Sequence, residues 1–225
     1  MNSEKRTKKS DTYHHGNLKE SLLQTALEMI DTEGLEAITL RELSQRLGTS
    51  RSAIYRHFAS KDALMKEVIS SGFQKLDLAV SPAFNDADKP FLERFHAMGM
   101  AYVTFAMHNP NLYRLLFGPA MSREREEMCE NDKPGLHRLK NGDSSDEVLQ
   151  NDEESGFHKL ASIIIEGQRQ KIFRNDDPVL IATTVWALLH GFSSLVIDGH
   201  ISVSSNVQAI YETNYRLLLE GLLET

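Results

Sequence analysis

The amino-acid sequence predicts an all-α fold with two parts, an N-terminal group of short helices and a larger C-terminal helical bundle. Apolar residues recur at intervals of three and four along most of the chain, which is the period of an amphipathic helix. Serine, threonine and glycine stand where helices would begin and end. No stretch of useful length alternates apolar and polar residues as a half-buried strand would, and no internal repeat is visible.

Composition excludes several classes of protein. The chain has 225 residues, 40% hydrophobic and 25% charged, which is enough to bury a core and too apolar for a disordered chain. The single cysteine, Cys129, excludes a disulfide framework and a multi-cysteine metal site. The basic start of the sequence is followed by no apolar segment, so we expect no secretory signal and a cytoplasmic location.

Charge is distributed unevenly along the chain. Residues 1–66 carry 11 Lys and Arg against 9 Asp and Glu, a net charge of +2, whereas residues 67–225 carry 14 against 23, a net charge of −9. We expect residues 1–10 to form a basic disordered arm, which contains Lys5, Arg6, Lys8 and Lys9. A polyanion would therefore bind only at the N-terminal end.

The first two helices are predicted from local signals. Apolar residues at helical spacing predict a first helix that ends near Gly34. Thr39 and Glu42 then form a Thr-x-x-Glu capping box, in which the threonine hydroxyl accepts a hydrogen bond from the amide three residues later. This box predicts a short second helix from Leu40 to Leu47.

Two further helices follow directly. Thr49 or Ser50 can cap a third helix from Arg51 to Phe58. Ser60 can cap a fourth helix that runs toward Ala79. The sequence therefore predicts two short helices between the first helix, which starts near Asn17, and the longer fourth helix.

The second and third helices are joined by three residues and must cross closely, as in a helix-turn-helix motif. Ser44 is small at the crossing point, Gly48 permits the dihedral angles of the turn, and Ile54 fills the angle between the helices. An ordinary helical hairpin inside a bundle is the alternative that this spacing leaves open.

The outer face of the third helix favours DNA as the ligand. Its polar side chains offer donors for phosphates and purine edges, and the methyl group of Ala53 could touch thymine. Helix N-termini at Thr39, Thr49 and Ser60 offer free amides to anions, and a phosphate there would explain Lys61 in a first helical turn. The candidate DNA contacts are Thr39, Thr49, Ser50, Arg51, Ser52, Ala53, Tyr55, Arg56, His57 and Lys61.

Residues 11–66 resemble the DNA-binding domain of the TetR family of bacterial transcriptional regulators. The matching segments are YHHGNLKESLLQTALEMIDTEG, TLRELSQRLGTSRSAIYRHF and SKDAL. The resemblance implies a homodimer with a helix-turn-helix domain at residues 11–66 and an all-helical effector-binding and dimerisation domain at residues 67–225. It implies a palindromic DNA operator and a small-molecule effector as partners, and no cofactor.

The segment IFRNDDPVLIATTVWALLHGF resembles the penultimate helix of TetR regulators with a Trp-x-x-x-His-Gly signature, here Trp186, His190 and Gly191. Trp186 and His190 lie four residues apart on one helix face. One interpretation is that they line an effector pocket or stabilise the dimer interface. The other is that they are core residues, a packed indole beside a hydrogen-bonded imidazole.

A stripe of aromatic residues and methionines, between residues 91 and 107, is a second candidate for effector contact. Such side chains suit an adaptable apolar pocket and equally suit an ordinary core. The candidate pocket residues are Phe95, Met98, Tyr102, Phe105, Trp186 and His190. The ligand is predicted to be apolar or amphipathic because few charges lie nearby, with Arg94 and Arg114 as exceptions.

The last helix, predicted from Ser205 to Leu223, carries an apolar stripe that nothing else in the sequence obviously covers. The resemblance implies that this helix and the one before it pair with their copies, although an intramolecular core would suit the stripe as well. Two copies about 34–36 Å apart would read a palindrome. The candidate dimer residues are Leu189, Val196, Ile210, Leu217 and Leu218.

Two segments need separate interpretation. Residues 178–197 carry no charge and are long enough to cross a bilayer, but polar residues and flanking aspartates favour a core or dimer helix and no membrane. Residues 122–155 carry 5 Lys and Arg against 11 Asp and Glu, and we expect residues 122–150 to form an acidic, partly helical or disordered connection. Acidic neighbours make Cys129 a poor redox switch.

Catalytic patterns are missing from the sequence, which has no Gly-x-Ser-x-Gly elbow, phosphate-binding loop or dinucleotide fingerprint. It has no metal-binding histidine pair on a helix, although folding could gather His96 with His158 or His190. We therefore expect no metal site and no enzymatic activity. The predicted function is a transcriptional repressor released from its operator by an effector. An activator of the same fold and an enzyme with an appended DNA-binding domain are the alternatives.

Overall fold

The computed structural model describes residues 18–119, 156–202 and 206–223. The basic arm, the acidic connection and Cys129 lie outside the described residues. The predicted all-α fold is confirmed. The described helices are α1 (Leu18–Glu33), α2 (Leu40–Arg46), α3 (Arg51–Tyr55), α4 (Lys61–Asn85), α5 (Phe91–His108), α6 (Pro110–Phe117), α7 (Gly156–Arg169), α8 (Pro178–Ile197) and α9 (Val207–Leu222), with a 3-10 turn at Leu35–Ala37.

Helices α1, α2 and α3 form a small unit that we call the head, and α4 to α9 form the body. Side-chain caps set the head's short helices. Thr39 Oγ1 accepts from the Glu42 amide at 3.1 Å, and Ser50 Oγ accepts from the Ala53 amide at 3.2 Å. Ser50, and not Thr49, is therefore the cap of α3. Gly48 has a φ of +59°, in the left-handed region that the predicted turn requires.

The core of the head agrees with the predicted helix-turn-helix packing. Ile54 and Leu43 are fully buried, and Ser44 is 8% exposed where α2 meets its neighbours. The third helix is shorter than predicted, because it ends at Tyr55 and not at Phe58. Phe58 nevertheless turns inward and is buried.

Helix α4 links the head to the body. It runs continuously across residues 66 and 67, where we predicted a domain boundary, and it extends past the predicted end at Ala79 to Asn85. At Gly72 a Cβ atom would lie 2.8 Å from Leu116 Cδ2 and 3.0 Å from Leu112 Cδ1, so the glycine lets α6 pack closely against α4. Head and body consequently share one continuous buried core.

The body is a bundle in which α5 packs against both α4 and α8, and α7 packs against α8. Among the described residues, α8 is the one helix long and apolar enough to pass for a membrane span, and 39% of its most apolar window is buried inside the chain. One such helix is weak evidence for a membrane, because a core helix has the same composition. Its outward residues include Leu180 and Leu195, which are 59% and 45% exposed.

The C-terminal end of α9 is attached to the loop between α7 and α8. Phe173 is fully buried and forms an isolated β-bridge with Leu223. The Arg174 amide donates to the Leu222 carbonyl at 2.9 Å, and the Arg174 guanidinium donates to the Gly221 carbonyl at 2.9 Å. These bonds occupy carbonyl groups that a helix end leaves without intrahelical partners.

Candidate DNA interface and effector site

The outer face of α3 is the candidate DNA interface. Buried Ile54 and Phe58 fix this helix against the head, so the side chains on its opposite face point outward. Tyr55 is 53% exposed, so its ring and hydroxyl are accessible to a ligand. The other exposed residues of this face are Arg51, Ser52, Arg56 and His57.

Ala53 does not belong to this face. The sequence suggested that its methyl group could touch thymine, but Ala53 is only 5% exposed because it lies on the buried side of α3. A residue two positions from Tyr55 falls on the opposite side of a helix that turns every 3.6 residues. We therefore remove Ala53 from the candidate DNA contacts.

The basic side chains of this region differ in their partners. Arg46 pairs with Glu33 at 2.7 Å and with Glu42 at 3.0 Å, and it lowers the pKa of the Glu33 carboxyl. In the part of the chain that the structure describes, Arg51, Arg56 and Lys61 have no carboxylate within salt-bridge distance. The unpaired cations are thus free to bind phosphate.

Helix N-termini lie beside this face as predicted from the caps. Ser50 and Ser60 each accept one amide in the first turn of their helix, and the remaining first-turn amides have no intrahelical acceptor. Thr39, Ser60 and Lys61 are exposed, whereas Thr49 is partly buried and its amide donates to the Ser44 carbonyl at 2.9 Å. The side chain of Ser50 also contacts that of Ser52, at 2.8 Å.

Three of the six candidate effector residues meet in one cluster. The indole nitrogen of Trp186 donates to the Tyr102 hydroxyl at 3.2 Å, and the Tyr102 hydroxyl lies 3.5 Å from His190 Nδ1. Tyr113 joins them, with its hydroxyl 2.7 Å from His190 Nδ1 and 2.9 Å from the Tyr102 hydroxyl. The Phe117 ring lies 5.2 Å from the His190 ring, which completes the aromatic cluster.

Burial changes the titration of this cluster. It lowers the pKa of the His190 imidazole, so the ring is biased toward its neutral form. It raises the pKa of the Tyr113 hydroxyl to about 12 and that of Tyr102 further still, so both hydroxyls stay protonated. A neutral hydrogen-bonding cluster of this kind suits an uncharged or amphipathic ligand better than an ionic one.

The other three candidates lie elsewhere. Phe95 packs on Phe173 with ring centroids 5.2 Å apart, and Met98 is likewise buried in the core. Phe105 is 5% exposed and contributes to the floor of an open groove of about 750 Å³ between α4 and α5. The structure therefore does not bring the six residues into one pocket.

The candidate dimer residues also separate into two groups. Leu217 is 54% exposed, and Ile210 and Leu218 are partly exposed, on the outer side of α9. Leu189 and Val196 are only 8% and 3% exposed, because they face the core of their own chain. They therefore have little surface to offer a second copy.

No group of three His, Cys, Asp or Glu side chains that could hold a metal ion occurs among residues 18–119, 156–202 and 206–223. His96 lies instead against Glu212, with Nε2 3.0 Å from Oε2, and between the rings of Tyr211 and Tyr215. His190 is occupied by Tyr113. Neither arrangement gathers the histidines as a metal sensor would require.

A helix-turn-helix head with unpaired cations, joined by one long helix to an all-helical body, defines the class of helix-turn-helix regulators. Family models agree: residues 22–68 match "Bacterial regulatory proteins, tetR family" and residues 95–218 match "Tetracyclin repressor-like, C-terminal domain". This chain belongs to the TetR family. The Trp-x-x-x-His-Gly subgroup remains a prediction.

Individual relatives match different shares of this chain. The nucleoid occlusion factor SlmA of Vibrio cholerae is 34% identical over 113 residues, which cover 50% of this chain and 57% of that protein. The chain thus spans little more than half the length of the curated relatives that it matches. A Rhodococcus sp. RHA1 structure described as a protein with unknown function is 25% identical and covers 95% of this chain and all of the other, with a TM-score of 0.72.

A more distant structure supports the fold alone. The TetR family transcription regulator from Marinobacter aquaeolei VT8 is 12% identical, covers 93% of this chain and 97% of its own, and has a TM-score of 0.62. At so low an identity, the agreement shows the shared fold and carries no information about function.

Proposed function

We propose that the chain is a sequence-specific DNA-binding transcription regulator, and that it acts as a repressor. The observation that carries the proposal is the outer face of α3, where Arg51, Tyr55 and Arg56 are exposed and no carboxylate of residues 18–119, 156–202 or 206–223 pairs with the two arginines. Such a face can bind phosphates and base edges in a major groove. The proposed contacts are Thr39, Ser50, Arg51, Ser52, Tyr55, Arg56, His57 and Lys61, with Thr49 through its partly exposed side chain.

The proposed functional unit is a homodimer. Exposed apolar side chains line one side of α8 at Leu180 and Leu195, and α9 adds Leu217 with Ile210 and Leu218. A second copy would remove this apolar surface from water, which favours association. The dimer would place two α3 helices in successive major grooves of a palindromic operator.

The proposed effector site is the cluster of Tyr102, Tyr113, Phe117, Trp186 and His190. It combines aromatic surface with hydroxyl, indole and imidazole groups, which suits a small apolar or amphipathic molecule with one polar group. An effector that prefers a conformation with displaced α4 would change the distance between the heads. Linkage requires that operator DNA then weakens effector binding by the same factor.

Fluorescence anisotropy tests the central proposal. The purified protein is titrated onto the DNA upstream of its own gene and onto a scrambled duplex of equal length, at several salt concentrations. We expect strong preference for the upstream fragment and an affinity that falls steeply as salt rises, because bound cations release counterions from the phosphates. Absence of binding at every salt concentration would contradict the proposal.

The dimer is tested separately. Leu217→Glu places a charge on the proposed interface and should convert the dimer to monomer in sedimentation analysis. Leu78→Glu is the matched control, because Leu78 is 72% exposed and lies on α4 and not on α8 or α9. Equal dimer dissociation constants for both variants would remove α9 from the interface.

A regulator of this kind works where the chromosome is, so we propose location with the nucleoid in the cytoplasm. An activator of the same fold would differ only in where its operator lies relative to the promoter. A reporter gene under the natural promoter distinguishes the two, because deletion of a repressor raises expression and deletion of an activator lowers it.

A further inference from the structure

Helix α6 contacts more elements than its eight residues suggest. Its apolar side packs Leu112 and Leu116 against Gly72 of α4, and Tyr113 reaches His190 of α8. Its polar side carries Asn111 and Arg114, which lie one turn apart on the helix. Asn111 contacts α1 of the head and Arg114 contacts the end of α8, so α6 connects the head with α8.

Asn111 bonds the C-terminal end of α1. Its side-chain nitrogen donates to the Asp31 backbone carbonyl at 3.1 Å, which is one of the last four carbonyls of that helix. These carbonyls have no intrahelical donor and are usually bound by water or by a local cap. Here the donor comes from 80 residues farther along the chain.

Arg114 bonds the C-terminal end of α8 in the same way. Its guanidinium donates to the backbone carbonyl of Ile197, the last residue of α8, and to the Asp198 carboxylate at 3.0 Å. The guanidinium also lies 3.4 Å from the Asn111 side-chain oxygen, so the two contacts are joined to each other. A charged donor at a helix C-terminus is also favoured by the helix dipole.

One atom at the head side of this connection has no partner. Asp31 Oδ2 pairs with Lys75 of α4 at 3.1 Å, whereas Asp31 Oδ1 is buried without a hydrogen bond among the described residues. A buried oxygen without a hydrogen-bond partner costs free energy, which the contacts of Lys75 and Asn111 with the same residue offset.

We infer that Asn111 and Arg114 are positioning residues that hold the head at a fixed place relative to the dimerisation helix α8. This inference rests on the proposed function. In a dimer built through α8 and α9, the position of the head relative to α8 sets the distance between the two α3 helices. The contact from Asp31 through α6 to Ile197 thereby determines which half-site spacing the dimer accepts.

The first test measures spacing discrimination. Duplexes carry the operator, or the operator with one base pair inserted or removed at its centre, and each is titrated with wild type, Asn111→Leu, Arg114→Met and the double variant. Wild type should lose about tenfold in affinity on the altered spacings, because one base pair changes both the distance and the rotation between the half-sites, and the variants should lose about threefold or less. An undiminished tenfold loss in the double variant would overturn the inference.

Lys89→Met is the matched control for Arg114→Met. It removes one cation and one exposed ion pair, with Asp86 at 2.8 Å, in the turn between α4 and α5 and away from α6. It should discriminate spacing as wild type does. If wild type itself shows no operator preference, the proposed function fails, and the second test still decides whether Asn111 and Arg114 connect α1 with α8.

The second test needs no DNA. Amide hydrogen exchange is compared between wild type, Arg114→Met and Lys89→Met. Loss of Arg114 should speed exchange at the end of α8 and also, by about threefold, at the end of α1, where the Gly34 amide donates to the Ile30 carbonyl. A change confined to α8 would overturn the inference, because α6 would then not connect the two helix ends.

Discussion

Helix α3 of the head and the interior of the body use their arginines in opposite ways. On α3 of the head, Arg51 and Arg56 are exposed and have no carboxylate partner among the described residues. In the body, Arg94 binds Glu166 at 2.8 and 3.2 Å and the Phe84 carbonyl at 2.8 Å, with its side chain only 11% exposed. A surface that must bind an anion leaves its donors free, whereas an interior that must hold helices together pairs them.

The two regions also differ in what fixes their helices. The short helices α2 and α3 of the head begin at side-chain caps, at Thr39 and Ser50. Caps also begin α4, α8 and α9 of the body, at Ser60, Asp177 and Asn206. The body adds to these caps its buried aromatic contacts and the close approach of helices at glycines, as at Gly167. Tertiary packing therefore contributes more to the body than to the short helices of the head.

The largest expected effect is a loss of stability from a substitution in the core of the head. Ile54→Ala removes a fully buried side chain that fills the angle between α2 and α3, and should lower the free energy of unfolding by about 3 kcal/mol. Operator binding should be lost with it. Leu78→Ala, at a 72% exposed position, should change the free energy of unfolding by less than about 0.5 kcal/mol. Urea denaturation of both variants measures the difference, and equal values would contradict the packing role.

The next effect tests the body. Gly167→Ala would place a Cβ atom 2.5 Å from Phe173 Cδ2 and 2.6 Å from Phe91 Cζ, both on buried rings that have little room to move. Overpacking of this kind should cost about 1–3 kcal/mol. Gly221→Ala is the control, because nothing lies within 4 Å of its Cβ position and alanine favours a helix. Thermal unfolding should show a lower midpoint for the first variant only.

The third prediction separates binding from folding in the head. Arg51→Ala and Tyr55→Ala should each weaken operator binding by about 1–3 kcal/mol, which raises the dissociation constant about 5- to 150-fold. Neither should change the free energy of unfolding or the dimer, because both side chains are exposed. Anisotropy titrations compare the operator affinity of each variant with that of Lys89→Ala. If a variant binds as tightly as that control, its residue does not contact the operator.

The smallest effect is a pH dependence of the body. Burial lowers the pKa of His190 below its unfolded value of 6.5, so the unfolded state binds more protons below that pH. The contribution of His190 to stability is therefore present above pH 6.5 and is lost as pH falls through the lowered pKa. Urea denaturation at pH 7.5 and at pH 5.5 gives the free energy of unfolding lost on acidification. His190→Gln should lose less of it than wild type, and an equal loss would contradict the role of His190 in this pH dependence.

The sequence predicted much of the head for a physical reason. Ser60, Thr39 and the turn at Gly48 act through backbone groups within a few residues, and such local interactions are visible in sequence. The burial of Ile54 between α2 and α3 was predicted correctly, because the helical period and the short turn together direct its side chain toward α2. The choice between Thr49 and Ser50 as cap, and the early end of α3, depended on how the turn packs.

The body was predicted less well at the level of residues. Trp186, His190 and Tyr102 were named as candidates and do meet, but Tyr113 was overlooked as the residue that joins them. Its only signal was its place in the apolar run after Pro110. Leu189 and Val196 were assigned to the dimer interface, although α8 is apolar on several sides and turns these two inward.

The sequence by itself determined the helices, the helix-turn-helix motif and the family, because each depends on periodicity and on contacts close along the chain. Only the tertiary structure decided that Ala53 faces inward and that the aromatic candidates divide between separate places. It alone joined Asp31, Asn111, Arg114 and Ile197. Side chains distant in the sequence meet through the packing of whole helices, and periodicity gives each helix an apolar face without saying which partner that face will meet.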